Sequence, residues 1–336
     1  MRTIKFIDLF AGIGGFREGL ERNGFECAGW VEVDKFKQQA YKAVHDTEGE
    51  WHKDDITTIR AEELPKADIY TGGFPCQSFS IAGNRGGFED TRGTLFFEIA
   101  RLAKERKPKY LLFENVRGLL SHDEGKTFAT ILKTLWEIGY NAQWQVLNSK
   151  NFGVPQNRER IFIVGYLRGE PRPKIFPFRK DSQKVNELQG QQNYTNTLTA
   201  RYEANGTGSY VVEGKQYAQE IKQLNNPTHS NDRVYCEKGI SPTLNTMQGG
   251  NRQPFIKKDN GIRKLTPLET FRLQGFPDEW YHKCRAAGIS DTQMYRAAGD
   301  AVTVNVVQEI GRRLKTGGLN ESKEKVGRGA ENAKGS

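Results

Sequence analysis

Apolar runs of strand length alternate with amphipathic stretches through the first half of the chain, and this alternation limits the available folds more than any other feature. Ile4 to Phe10 is dominated by apolar residues, and Tyr110 to Phe113 is almost wholly apolar. Strands of this kind are buried on both faces, as in a parallel sheet covered by helices. Cys27 to Val33, a short strand near Asp55-Ile56 and Ala67 to Thr71 continue the series. Helical patterns lie between them, through Phe16 and Leu20 to the stop signal Asn23-Gly24, from Lys35 to about Val44, and from Thr94 to about Arg106. The order predicts an α/β fold, a doubly wound and mostly parallel sheet. Gln143 to Leu147 and Ile161 to Tyr166 are expected to extend one edge.

The composition changes after Leu167. Glu170-Pro171-Arg172-Pro173 reads as a linker, and Asp181 to Asn260 is rich in Gln, Asn, Thr and Gly without a long helical period. A smaller, loop-rich β module is expected there. Asn196-Thr197-Leu198-Thr199 and Pro242-Thr243-Leu244-Asn245 give it a weak internal half-repeat. Helical patterning returns at Pro267 to Leu273 and at Val302 to Leu314, so both ends of the chain should complete the large domain. The expected units are 1–167, an inserted module at 168–262, a return segment at 263–315, and a polar tail at 316–336 that reads as disordered.

The formal charge of +9 suits a polyanionic partner, although many soluble proteins carry as much without one. The four cysteines, Cys27, Cys76, Cys236 and Cys284, show no CxxC spacing, which argues against a zinc site or a disulfide framework. No stretch approaches the ~18 apolar residues of a membrane span, and the N-terminus carries no apolar signal segment. A soluble cytoplasmic protein is the expectation.

Four segments carry chemistry. In Asp8-Leu9-Phe10-Ala11-Gly12-Ile13-Gly14-Gly15-Phe16, glycines between a strand and a helix let the backbone approach a ligand. The third glycine of a nicotinamide fingerprint would fall at Arg17, so that reading fails. Glu32, ending the second strand, suits ribose hydroxyls. Gly72-Gly73-Phe74-Pro75-Cys76-Gln77-Ser78-Phe79-Ser80 places a cysteine in a polar loop at a strand's carboxyl end, where a thiol is either incidental or a nucleophile. Phe113-Glu114-Asn115-Val116 puts a carboxylate at the end of an apolar strand, a position for a surface acid or for one whose pKa burial raises. In Gln156-Asn157-Arg158-Glu159-Arg160, the two arginines alternate and in an extended segment face the same way.

Taken in order from Phe6 to Val304, these segments resemble the DNA (cytosine-5)-methyltransferases of restriction-modification systems and phages. Arg263-Lys264-Leu265-Thr266-Pro267-Leu268-Glu269, with Arg272 to Pro277, looks like the motif that props up that family's recognition module. Ala298-Gly299-Asp300-Ala301-Val302 corresponds to its final motif, with Asp300-Ala301 in place of the commoner Asn-Ser.

The resemblance implies a Rossmann-like S-adenosylmethionine-dependent fold in which Cys76 attacks C6 of a flipped-out cytosine, Glu114 holds the N3/N4 edge and Arg160 holds O2, with Arg158 in the same catalytic group. It implies S-adenosylmethionine held by Asp8, Phe10, Gly12, Gly14, Gly15, Glu32, Val33, Asp55, Ile56, Pro75, Asp300 and Ala301. Val33 stands where relatives often carry a bulkier aromatic. Ser80 to Arg92 is expected to close over DNA as a mobile loop. Gln77, Ser80, Arg85 and Arg92, together with Thr243, Gly249, Gly250 and Arg252, would contact the duplex. Asn245, Gln248 and Asn251 are further candidate base readers. The implied partner is double-stranded DNA, met by a nucleoid-associated monomer without metal or membrane. A cognate restriction endonuclease would be a functional rather than a physical partner. Against a tRNA-methylating relative stands the long stretch between Arg160 and Arg263; against a non-catalytic sensor stand Cys76, Glu114 and Arg160 together.

Overall fold

The computed structural model describes residues 3–75, 95–178, 221–227, 233–245, 253–258 and 261–317. Its centre is a seven-stranded sheet in the order β3-β2-β1-β4-β5-β7-β6. The strands are β1 Lys5–Asp8, β2 Glu26–Val31, β3 Trp51–Lys53, β4 Ile69–Gly72, β5 Tyr110–Val116, β6 Tyr140–Asn148 and β7 Glu159–Leu167. β1 to β5 are mutually parallel, and β7 runs antiparallel between β5 and β6.

The apolar runs follow from burial on two sides. Leu111 and Phe113 of β5 enter one core with Phe96 and Ile99 of α3 (Leu95–Arg106) and Phe128 and Ile131 of α4 (Lys126–Glu137). Tyr110 and Leu112 enter the opposite core with Phe16 and Leu20 of α1 (Gly15–Glu21). Alternate side chains of one strand thus meet two helical layers, which makes Tyr110 to Phe113 apolar throughout.

The C-terminal part closes the second layer. After α2 (Lys35–Val44) has packed beside the sheet, α5 (Pro267–Leu273), α6 (Asp278–Ala286) and α7 (Asp291–Asp300) form a helical cluster against it. The last described helix, α8 (Val304–Gly317), buries Val306, Val307, Ile310 and Leu314 against α1 and the sheet. A Cβ built on Gly19 would lie 2.6 Å from Val307 Cβ, so only glycine lets α1 and α8 approach this closely. α5 starts at a reciprocal cap, in which Glu269 N–H donates to Thr266 Oγ1 at 3.3 Å and Thr266 N–H donates to Glu269 Oε2 at 2.8 Å. Arg263 grips the same carboxylate at 2.9 and 2.7 Å.

A three-stranded sheet, β10-β9-β8, stands apart from the large one: β8 Val234–Cys236, β9 Phe255–Lys258 and β10 Gly261–Lys264. The chain after Leu167 remains on the large layer as far as Phe178. Ile175 and Phe178 are buried with α8, and the Gln145 side-chain amide exchanges two hydrogen bonds with the Phe178 backbone at 2.9 and 2.7 Å.

Some elements depart from the sequence reading. The strand expected near Asp55-Ile56 lies earlier, at Trp51–Lys53, and Asp55 instead caps a 3-10 turn by accepting from Thr57 N–H at 2.9 Å. Three residues with a polar centre at a sheet edge leave little apolar signal. Arg158 lies just outside the β6–β7 ladder, whose last pair is Asn148 with Glu159, so the two arginines do not share one strand. Helices α4, α6 and α7 were not anticipated. No described helix is long and apolar enough to cross a membrane.

Candidate active site

Chain order reverses between β1 and β4, which are neighbours in the sheet, and open α/β sheets hold ligands in the crevice beyond such a point. The glycine-rich turn leaves β1 on this edge. Ala11 N–H donates to Val31 O at 2.9 Å, binding the turn to the end of β2. Gly14 has φ +93°, and a Cβ there would fall 1.9 Å from His45 Nε2, so the position excludes other residues. Gly12 has φ +57°, but a Cβ there would meet nothing within 4 Å, so this backbone lies open to an incoming group. Glu32 holds the turn in shape, accepting from Gly12 N–H and Asp34 N–H, both at 2.8 Å.

Phe10 is half-buried with its ring beside Gly72, Val33 after β2 is 70% exposed, and Asp55 and buried Ile56 follow β3. Asp8 sits beneath the turn rather than on its surface. Its side chain is fully enclosed, Thr71 Oγ1 donates to its Oδ1 at 3.0 Å, and Oδ2 has no hydrogen-bond partner. Burial pushes its carboxyl up to about 7 from the usual 3.8.

Glu114 and Arg160 meet at the same edge although 45 residues separate them in sequence, Asn115 to Glu159. In the antiparallel ladder Glu114 faces Phe162 and Val116 faces Arg160, so Glu114 and Arg160 are diagonal neighbours on one face of the sheet. Arg160 Nε lies 3.0 Å from Glu114 Oε1, an ion pair whose alignment leaves that oxygen without a hydrogen-bond partner. Burial raises the Glu114 pKa against the opposing pull of Arg160 and Arg158. The next residue, Asn115, points to the other face and donates from Nδ2 to Phe74 O at 2.7 Å, anchoring the backbone just before exposed Pro75.

Arg158, 2% exposed, donates to Leu244 O at 3.1 Å, Gly299 O at 3.1 Å and Ala301 O at 2.9 Å. Asp300 pairs with Lys37 of α2 at 2.6 Å. Among the described residues, no three His, Cys, Asp or Glu side chains cluster as a bound metal would need.

The family description C-5 cytosine-specific DNA methylase matches residues 4–316. The chain belongs to that family. The methylase is 38% identical to the type II methyltransferase M.HpaII of Haemophilus parainfluenzae, across 92% of this chain and 88% of that one. It is 32% identical to the orphan methyltransferase M.SPRI of Bacillus phage SPR, across 94% of this chain and 98% of that one. The solved Dnmt2 methyltransferase of S. pombe shares the fold, with a TM-score of 0.66 at 20% identity over 93% of this chain and 98% of that one.

The structure thus gathers Glu114, Arg160, Arg158, Asp300, Ala301 and the glycine-rich turn of the methylase at one edge of the sheet. Thr243 is exposed beside them and donates from Oγ1 to Asn157 O at 2.6 Å. Cys76, Gln77, Ser80, Arg85, Arg92, Gln248, Gly249, Gly250, Asn251 and Arg252 lie outside the described residues, as do the half-repeat at Asn196–Thr199 and the chain after Gly317. Sequence reasoning passed over Lys37, whose partner only folding reveals. It also passed over Asn115 and Gln156, although both stand inside motifs it had singled out.

Proposed function

We propose that this methylase transfers a methyl group from S-adenosylmethionine to C5 of a cytosine flipped out of duplex DNA at a specific site, through a covalent bond between Cys76 and C6. The observation that carries the reading is the Glu114–Arg160 pair. A buried carboxyl with a raised pKa, ion-paired to a guanidinium without an aligned hydrogen bond, is suited to grip the N3/N4 edge and the O2 of one pyrimidine.

Cytosine C5 is a poor nucleophile until a thiolate adds at C6. Addition by the Cys76 thiolate sends the C5–C6 π electrons into the ring, where Glu114 stabilises them by hydrogen bonding or protonation at N3. Arg160 offsets charge at O2. C5 then takes the methyl group, loses its proton to a base such as water, and the C6–S bond breaks to restore the ring and the thiolate. Pro75 precedes the nucleophile, and Asn115 fixes the carbonyl of Phe74 before it, so Glu114 and the loop entrance are held from adjacent residues of one strand. The ring must leave the stack for any of this, at a cost of a few kcal/mol.

The open backbone at Gly12 and the exposed apolar wall at Val33 fit a nucleoside-bearing cofactor. Gly12, Gly14 and Gly15 would pass under its amino-acid portion, Glu32 would take the ribose, and Phe10, Asp55 and Ile56 would border the adenine. When bound, S-adenosylmethionine supplies an electrophilic sulfonium methyl. The Lys37–Asp300 pair leaves no uncompensated carboxylate at that end of α7.

Two measurements test the reading. Bisulfite sequencing of plasmid DNA from expressing cells should show 5-methylcytosine at one recurrent sequence, and unmodified plasmid would contradict it. Duplex DNA carrying 5-fluorocytosine at that site should form a stable adduct with the wild-type chain and none with Cys76→Ala. An adduct with the variant would assign the nucleophile elsewhere.

A further inference from the structure

We infer that Arg158 is a positioning residue that locks the DNA-reading segment to the base-gripping pair, so that reading the site and performing the chemistry share one support. The inference rests on the function proposed above.

Arg158 is a buried cation that makes no ion pair with a carboxylate among the described residues. Its guanidinium is held by three backbone carbonyls from two distant parts of the chain, Leu244 in the inserted module and Gly299 with Ala301 at the end of α7. A planar fork can donate in several fixed directions at once, which a lysine ammonium cannot reproduce. Its own backbone is fixed as well: Arg158 N–H donates to Asn148 Oδ1 at 3.1 Å, and its carbonyl accepts from Ser149 N–H at 2.9 Å. Two residues further along the chain stands Arg160, paired with Glu114.

The inserted module is clasped to this segment on both sides of the backbone. Asn157 N–H donates to Ser241 O at 2.9 Å, and Ser241 N–H donates to Pro155 O at 2.8 Å. Gln156, wholly buried, accepts Leu244 N–H at 3.1 Å and donates to Leu273 O at 2.9 Å. Leu244 therefore has its N–H held by Gln156 and its carbonyl held by Arg158. The chain leaves Leu244 for Asn245 and the polar residues beyond from a backbone that cannot shift without disturbing Arg158. A duplex that fits badly and pulls on Leu244 would strain a buried cation whose hydrogen-bond acceptors among the described residues are these carbonyls, and with it the entry of β7. Losing one acceptor around a buried charge is costly, so the coupling is stiff.

The test compares wild type, Arg158→Lys and Arg158→Gln by kcat, thermal melting and the ratio of methylation at the target to that at sites differing by one base pair, read by bisulfite sequencing of plasmid. Folded Arg158→Gln should lose at least tenfold in kcat and at least tenfold in the target-to-mismatch ratio. Arg158→Lys, which keeps the charge without the fork, should lose ratio as well. A loss of stability alone would lower the methylation of all sites together. A folded variant of either kind with the wild-type ratio would overturn the inference. If Arg158→Gln does not fold, Arg158→Lys decides by the same criterion. Failure of the wild type to methylate DNA at all would sink the proposed function instead, so the two failures are distinct.

Discussion

Asp8 is an acid enclosed by protein with one oxygen hydrogen-bonded to Thr71 and the other unpartnered, and such a group keeps its proton to higher pH than it would in water. Between 3.8 and about 7 the folded state holds a proton that the unfolded chain has released, so stability falls as pH rises through that window. The slope is about 1.4 kcal/mol per pH unit. Urea titrations at pH 5, 6 and 7 should show wild type losing this increment relative to Asp8→Asn, whose side chain does not titrate; parallel slopes would refute the assignment. At this scale the sequence was informative wherever a polar residue interrupted an apolar strand. Glu114 stood out because a carboxylate at the end of Tyr110 to Phe113 needs a reason, and Arg160 because it opens another apolar run. Partners across the fold were not legible. Nothing in the sequence near Lys37 points to Asp300, nor does anything near Arg158 point to three particular carbonyls, since those distances exist only after folding.

Among elements, β7 is the one whose direction matters most to the site. A parallel strand in its place would bring its carboxyl end to the functional edge. The antiparallel strand brings its beginning, and Arg160 stands there beside Glu114 at the end of β5. Side chains alternate with period two, so slipping β7 by one residue would turn Arg160 to the α3–α4 face. α5 positions the return segment, and its start depends on few atoms. Thr266→Ala removes the hydroxyl that accepts Glu269 N–H and donates to Glu269 Oε2 at 3.0 Å, and should cost roughly 1 kcal/mol. Chemical denaturation should find this loss with an unchanged m-value, because the surface exposed on unfolding stays the same. The strands of the large sheet other than β3 were legible from their apolar runs, and the helices over Lys35–Val44 and Pro267–Leu273 from a regular apolar period and ordinary caps. α4 also carries a clear period at Phe128, Ile131 and Leu135, so the signal for it was present in the sequence and passed over. β3 has too few residues to show any period.

At the scale of the whole molecule, the last described helix closes the core. α8 fills the core formed by Phe6, Phe16 and Leu20 from the first helix and strand, and the tight contact at Gly19 leaves no room for a substitute. A fragment ending at residue 262 should therefore expose that core, bind a hydrophobic dye and melt without a cooperative transition. Adding a separate 263–317 polypeptide should restore cooperative melting; a fragment that melts cooperatively alone would show that the sheet does not need α8. The two-ended construction was legible from the return of helical patterning near the C-terminus, whereas the close fit of the ends was not, because glycine at position 19 reads locally as a weak point in a helix. The interlock also has a temporal side. On the ribosome β1 and α1 emerge long before α8, so the layer that covers them stays unfinished until Val304–Gly317 has been made. A nascent chain that has not yet reached α8 would carry the apolar surface of Phe6, Phe16 and Leu20 uncovered.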